Sequence, residues 1–224
     1  MKSIMGWSGL LLLVATTLAG GCASLPTPRA KVRYGIEVFC AQDPRDDLKG
    51  ARAGLLTNHT GIDSQFIRTI DHLMVRTDIQ LVRLFAPEHG IQGEKFGDRH
   101  EDHTSDEKTG LPVYNLHGKA ARERLAERLE GLDVVFCDIQ DVGSRSYTRI
   151  SVMLLVMERC AEKGIKFIIL DRPNPLGGNR VEGNLLESGK GYFEATPEVP
   201  YIYGLTLGEL ALSLIHISEP TRPY

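Results

Sequence analysis

The apolar positions fall into short runs separated by stretches with helical spacing. Ala51–Asn58 (ARAGLLTN), Ile79–Ala86 (IQLVRLFA), Leu111–Tyr114, Asp133–Cys137 (DVVFC) and Lys166–Leu170 (KFIIL) each have the length and apolar content of a strand. Between them, Gln65–Thr77 carries Phe66, Ile70 and Leu73 at helical intervals, and Lys119–Glu130 (KAARERLAERLE) puts Leu125 and Leu129 on one face. Tyr147–Lys163 is apolar almost all round, which predicts a buried helical layer and not a membrane span, since Arg149 and Glu158 interrupt it. A short helix is predicted over Val32–Ala41, and a long polar loop over Gln92–Thr109. Short strands alternating with helices predict a parallel sheet covered on both faces, an α/β fold.

The amino-terminal residues follow another pattern. Lys2, the apolar run Leu10–Ala15 and the small residues Ala19, Gly20 and Gly21 lead to Cys22. A charged start, a short apolar stretch and a small-residue cleavage site predict a secretory signal over residues 1–21. Cys22 is then the expected lipid attachment site, although Leu18 stands one place before the usual lipobox position; plain secretion is the alternative. Residues 22–33, with Pro26 and Pro28, are expected to form a tether. At the other end, Tyr203–Leu212 (YGLTLGELAL) predicts a turn and a new helix, with residues 205–212 opening a second domain. Ser213–Tyr224 (SLIHISEPTRPY) resembles a translated sequencing adaptor and is expected to be an artefactual tail on a truncated chain.

Composition narrows the picture slightly. The 224 residues hold one sizeable α/β domain, 34–204, and a net charge of −3 offers no field for a polyanion, so no nucleic-acid partner is expected. Cys40, Cys137 and Cys160 are odd in number and widely spaced, which predicts neither a disulfide framework nor a zinc site. His100, Glu101, Asp102, His103 and Asp106 crowd one polar loop, but that pattern reads as a solvated face, and no metal is expected. The chain lacks G-x-G-x-x-G, a Walker loop and G-x-S-x-G, so neither a nucleotide cofactor nor a serine nucleophile is indicated.

Candidate chemistry collects where ligands bind in open parallel sheets, beyond the carboxyl ends of the strands. The first strand delivers Asn58, His59 and Thr60; the second Pro87, Glu88, His89 and Gly90; the third Asn115 and His117. The fourth delivers Asp138, Gln140 and Asp141, then Arg145, and the fifth Asp171, Arg172 and Asn174. Glu88 is the sharpest candidate: a carboxyl partly desolvated there suits a general acid. His89 is expected to orient it or to bind a substrate oxygen. Alternation places Asp138 and Gln140 on one side of an extended backbone, facing a pocket, with Asp141 either there or capping the next turn. Arg145 and Arg172 match a ligand carboxylate, and Asp171–Arg172 is alternatively an internal ion pair.

Seven ordered blocks carry a family resemblance: GLLTNHTG (54–61), LFAPEHGIQG (84–93), TGLPVYNLHG (109–118), DVVFCDIQDVGSRSY (133–147), IILDRPNPLGG (168–178), VEGN (181–184) and YGLTLGEL (203–210). The chain resembles the NamZ-type (YbbC-like) exo-β-N-acetylmuramidases. The resemblance implies a Rossmann-like catalytic domain, a smaller carboxyl-terminal domain largely missing here, and no cofactor. It also implies hydrolysis of terminal, non-reducing β-linked N-acetylmuramic acid from peptidoglycan fragments; together with the signal segment and Cys22, a lipid-anchored protein of the bacterial envelope is expected. By position Glu88 becomes the catalytic acid. Asp138 and Asp141, with Glu182 as another choice, become candidates for the second catalytic group. Asn58, His89, Gln140, Arg145, Asp171, Arg172, Asn174 and Glu182 become candidate substrate-binding residues. A non-catalytic lipoprotein that binds peptidoglycan fragments is the alternative.

Overall fold

The computed structural model describes residues 32–93, 103–187 and 198–218. The expected signal segment, Cys22, His100, Glu101 and Asp102 lie outside the described residues. In chain order the elements are α1 (Gly35–Cys40), a 3-10 turn (Asp46–Leu48), β1 (Ala51–Thr57), α2 (Thr69–Met74), β2 (Ile79–Ala86), β3 (His103–Ser105), β4 (Pro112–Asn115), α3 (Lys119–Glu123) and α4 (Leu125–Arg128). There follow β5 (Val134–Asp138), α5 (Arg149–Glu162), β6 (Lys166–Ile169), β7 (Glu182–Leu185), β8 (Pro200–Ile202) and α6 (Leu207–Ser218).

The main sheet runs β3-β4-β2-β1-β5-β6, and β4, β2, β1, β5 and β6 pair in parallel. Among the described strands of this sheet only β3 is antiparallel, on the edge beside β4. The five parallel strands, counted along the chain, therefore stand in the order third, second, first, fourth, fifth. That is the Rossmann arrangement, with its switch point between β1 and β5.

Alternation along each strand builds two cores. Leu55, Leu84, Val134 and Phe136 face the layer holding Ile36 and Phe39 of α1 and Ile70 and Leu73 of α2. Leu56, Phe85, Val135 and Cys137 face the opposite layer, with Leu125, α5 and α6. Burial on both faces explains why the strands read as nearly continuous apolar runs. Gly54 lies at an irregularity in the β1–β2 register, and a Cβ there would come within 2.9 Å of both Leu132 and the Phe85 ring. Cys137 and Cys160 are fully buried, and burial pushes the Cys160 thiol up to about 12.

Several elements depart from the sequence pattern. The helix expected from Gln65 starts only at Thr69, because Asp63 captures the preceding backbone. Its Oδ1 accepts from the N–H groups of Gln65 and Ile67, and Phe66 adopts a left-handed φ of 64°. A short polar side chain here outcompetes the helical ladder. The helix expected over Lys119–Glu130 bends at Arg124, where ψ is −1°, so α3 and α4 are separate turns. Arg128 then turns inward, donating to the Asn115 carbonyl at 3.1 Å, with its guanidinium 5.0 Å from the Tyr114 ring centre. The expected loop 92–109 contains β3, and the exposed β7–β8 ribbon has no apolar alternation to announce it.

The carboxyl-terminal helix belongs to the same core. Tyr203, Leu207, Leu210 and Ala211 pack into the cluster containing α5 and β5, and α6 continues through the residues expected as tail to Ser218. Thr206 and Glu209 close a reciprocal cap at its start: each backbone N–H donates to the other's side chain, at 2.9 and 3.1 Å. Among the described residues no helix is long and apolar enough to cross a membrane.

Candidate active site

Glu88 leaves the carboxyl end of β2 one residue after Pro87, which has no N–H with which to extend the ladder. The backbone then makes a sharp turn, with His89 at φ 57° and Gly90 at φ 75°. A left-handed histidine costs of order 1 kcal/mol and persists only where its surroundings impose it. Glu88 keeps 27% of its side-chain surface, and its Oε1 lies 3.4 Å from Nδ1 of His117, which follows β4. The imidazole beside the carboxyl is thus supplied by the neighbouring strand. The loops after β1 and β2 also meet: a side chain at Gly93, which has φ 73°, would stand 2.7 Å from Nδ1 of His59.

The residues at the ends of β5 and β6 are placed differently. Asp138 is completely buried, and Arg172 grips it with two donors, Nε to Oδ1 at 2.5 Å and Nη2 to Oδ2 at 3.1 Å. Thr69 at the start of α2 donates its hydroxyl to Oδ2, and Arg172 Nη2 also donates to the Ile62 carbonyl at 2.6 Å. The Tyr34 ring lies over the guanidinium at 4.8 Å. Burial raises the Asp138 pKa, while Arg172 and Thr69 pull it the other way. This ion pair ties β5, β6, α2 and the loop after β1 together. It corrects two expectations: Asp138 faces the interior and not a pocket, and the partner of Arg172 is Asp138 and not Asp171.

Asp171 serves α6 instead. Its carboxylate accepts from the Thr206 hydroxyl at 2.5 Å and from the Gly208 N–H at 3.0 Å, at the end of the helix where a negative charge is favourable. Asp141 is also buried, and its Oδ2 accepts from the Tyr203 hydroxyl and from the Gly143 N–H at 2.7 Å. It therefore closes the turn after β5, the second of the two places expected for it. Gln140 donates its amide to the carbonyls of Asp141 at 2.7 Å and Pro173 at 3.0 Å, and Asn174 donates to the Leu205 carbonyl at 2.9 Å. Gln140, Asp141, Arg172 and Asn174 do converge, but on a void of about 10 Å³. That is the space of about one water, whereas small-molecule pockets are of order 300–1,000 Å³.

The remaining candidates are scattered. Oδ1 of Asn58 is used within its own loop, by the N–H of Thr60 at 3.0 Å and its hydroxyl at 2.6 Å. Glu182 lies exposed on β7 and pairs with Arg180 at 2.8 Å. Arg145 donates through Nη2 to the Asn184 carbonyl at 3.3 Å, while its Nη1 is shut off from solvent and unpaired. A cleft of about 450 Å³ runs along edge strand β6 beside Val38 and Phe39, and Glu88 is not in its wall. Among the described residues no cluster of His, Cys, Asp or Glu is arranged to hold a metal. His117 stands closer to the chemistry than its place in the pattern suggests, and Thr69, Tyr203 and Thr206 make contacts that the pattern does not announce. For His117 the signal was available, since it too follows a strand; for Thr69 nothing in the local pattern marks a buried donor.

Burial gives Asp141 a measurable pH signature. It raises the carboxyl pKa, with the Tyr203 hydroxyl and the Gly143 N–H pulling against it. A group whose folded pKa exceeds its unfolded value, about 3.9, favours folding fully below that value. The contribution is lost as pH rises through the folded pKa. Asp141→Asn abolishes this titration, so the stability advantage of the parent over the variant should shrink from pH 3 to pH 8. Urea unfolding of both proteins across that range measures it, and a constant difference would contradict the assignment.

Comparison with known proteins agrees with the architecture. The family described as "Exo-beta-N-acetylmuramidase NamZ, N-terminal" matches residues 53–219. The chain is 40% identical over 207 residues to the peptidoglycan beta-N-acetylmuramidase NamZ of Bacillus subtilis (strain 168), covering 91% of this chain and 50% of that protein. Two crystal structures of DUF1343 family proteins from Bacteroides fragilis NCTC 9343 share the fold. One superposes with a TM-score of 0.76 at 45% identity, over 88% of this chain and 49% of the other. The second gives 0.66 at 34% identity, over 83% and 47%. The chain thus spans about half the length of the relatives it matches. On the Rossmann-ordered sheet, the ordered motif blocks and these matches, the chain belongs to the NamZ amino-terminal domain family.

Proposed function

We propose that this chain carries the acid-bearing domain of a glycoside hydrolase that releases terminal, non-reducing β-linked N-acetylmuramic acid from peptidoglycan fragments. The observation that carries the reading is the Glu88–His117 pair, held by a strained turn at the carboxyl ends of β2 and β4. The carboxyl is half-buried and open enough to meet a glycosidic oxygen. Cleavage of a glycosidic bond needs a proton on the departing oxygen, and a positioned carboxylic acid supplies it. The name of the Bacillus relative supports the substrate class. Arg145 carries the guanidinium fork that suits the lactyl carboxylate distinguishing this sugar.

The second group of the reaction is not assigned to Asp138 or Asp141. Asp138 is fully buried and spent on Arg172, whereas Asp141 keeps an enclosed, unpartnered Oδ1 beside a void of about 10 Å³. Incubating the full chain with a β-N-acetylmuramyl-N-acetylglucosamine disaccharide, and separately with a glycan ending in N-acetylglucosamine, tests the proposal. Free N-acetylmuramic acid from the first substrate alone is the expected product; binding without release would favour a peptidoglycan-binding protein instead.

The place of action is proposed to be the bacterial envelope, with Cys22 lipidated after removal of residues 1–21. Detergent phase partitioning should put the parent protein in the detergent phase and Cys22→Ser in the aqueous phase. Equal partitioning would leave secretion without an anchor as the reading.

A further inference from the structure

We infer that His117 is the positioning residue for Glu88, donating its Nδ1–H to Oε1 so that Oε2 holds the proton that is transferred. This rests on the reading of Glu88 as the acid. Three observations lead to it. Nδ1 of His117 lies 3.4 Å from Oε1, and that ring nitrogen is shut off from solvent. The two side chains come from adjacent parallel strands, β2 and β4, whose hydrogen-bonded register ends at Ala86 and Asn115. Each residue lies two positions beyond that last rung. The rigid sheet therefore fixes their separation. Finally, the left-handed backbone at His89 and Gly90 turns the chain sharply directly after Glu88.

The chemistry gives the contact a purpose. To act as the acid, Glu88 must start the step carrying its proton on Oε2, which leaves Oε1 a weak acceptor. As its proton passes from Oε2 to the glycosidic oxygen, the bond from that oxygen to the anomeric carbon breaks, and Glu88 becomes a carboxylate. Hydrogen bonds to a charged acceptor are shorter and roughly twice as strong as neutral ones, so the His117 contact strengthens along the reaction coordinate. An interaction that strengthens in the transition state accelerates the reaction. The separation of 3.4 Å is long for a hydrogen bond, as catalytic contacts often are before substrate binds, and it shortens as charge develops. His89 was expected to orient the acid or to bind a substrate oxygen; the geometry assigns the orienting task to the residue after β4.

The leaving group provides the test. A nitrophenolate departs with little protonation, whereas a sugar alkoxide needs the acid. In the full chain, His117→Ala should lower kcat for the disaccharide about 10- to 100-fold, a part of the roughly 10²–10⁴-fold that a positioned acid supplies. KM should stay within about twofold, and 4-nitrophenyl β-N-acetylmuramide turnover should fall far less. His117→Asn, which returns a donor near the Nδ1 position, should recover most of the loss. His117→Phe, similar in size without a donor, should behave like alanine and covers the case in which the smaller residue disturbs folding. Equal losses on the two substrates, or no rescue by asparagine, would overturn the positioning role. Glu88→Gln run alongside separates the two claims. If Glu88→Gln is inactive on the disaccharide and His117→Ala is not impaired, the inference about His117 fails and the acid stands. If Glu88→Gln keeps full activity, the acid reading itself fails.

Discussion

Glu88→Gln is expected to lower kcat/KM for β-linked N-acetylmuramides by about 10²- to 10⁴-fold, the range for removing a positioned general acid. Glutamine keeps the size of the side chain and a carbonyl oxygen for His117, but it has no proton to give to a departing alkoxide. The fold should be unaffected, because Glu88 retains 27% of its side-chain surface and contributes nothing to either core cluster. Steady-state kinetics with the disaccharide, together with a melting curve, check both halves. A full-rate variant would remove Glu88 from the chemistry.

Arg172→Ala is expected to cost about 3–5 kcal/mol of stability without touching Glu88, the scale for stranding one member of a buried ion pair. Asp138 has no exposed surface, and its two oxygens lose the bidentate guanidinium, while the Ile62 carbonyl loses its donor. At roughly 2–4 °C per kcal/mol for a domain of this size, the melting temperature should fall by about 6–20 °C. The double variant Asp138→Asn/Arg172→Met should recover a good part of the loss, since a neutral amide and an apolar chain leave no buried unpaired charge. If the single variant melted within about 2 °C of the parent, the pair would not be the tie between β5, β6 and α2 described above.

How much of this was legible beforehand depends on the range of the interaction. Ile79–Ala86 shows itself because it is a short, mostly apolar run with residues committed to both core layers, and the strand found there has the same bounds. Glu88 follows directly from it, two residues past the strand end. The helix expected from Gln65 misled because Asp63 diverts the backbone over four residues, a local competition that helical spacing does not register. The β7–β8 ribbon went unannounced for the opposite reason: its four-residue strand Glu182–Leu185 is exposed throughout, so no buried face imposes a pattern.

Taken alone, the amino-acid order determined the layered α/β class, the strands that form the sheet, and the family blocks that surround Glu88. These follow from burial, which is written into neighbouring positions with a period of two or of 3.6 residues. Only the tertiary structure decided which polar strand ends look outward. Arg172 reaches Asp138 across 34 positions and Ile62 across 110, so one set of acids and bases is spent inside the fold. Strand order, not spacing, brings Glu88 and His117 together, because β2 lies beside β4. A side chain's partner depends on which strands become neighbours, and that is settled when the whole sheet assembles.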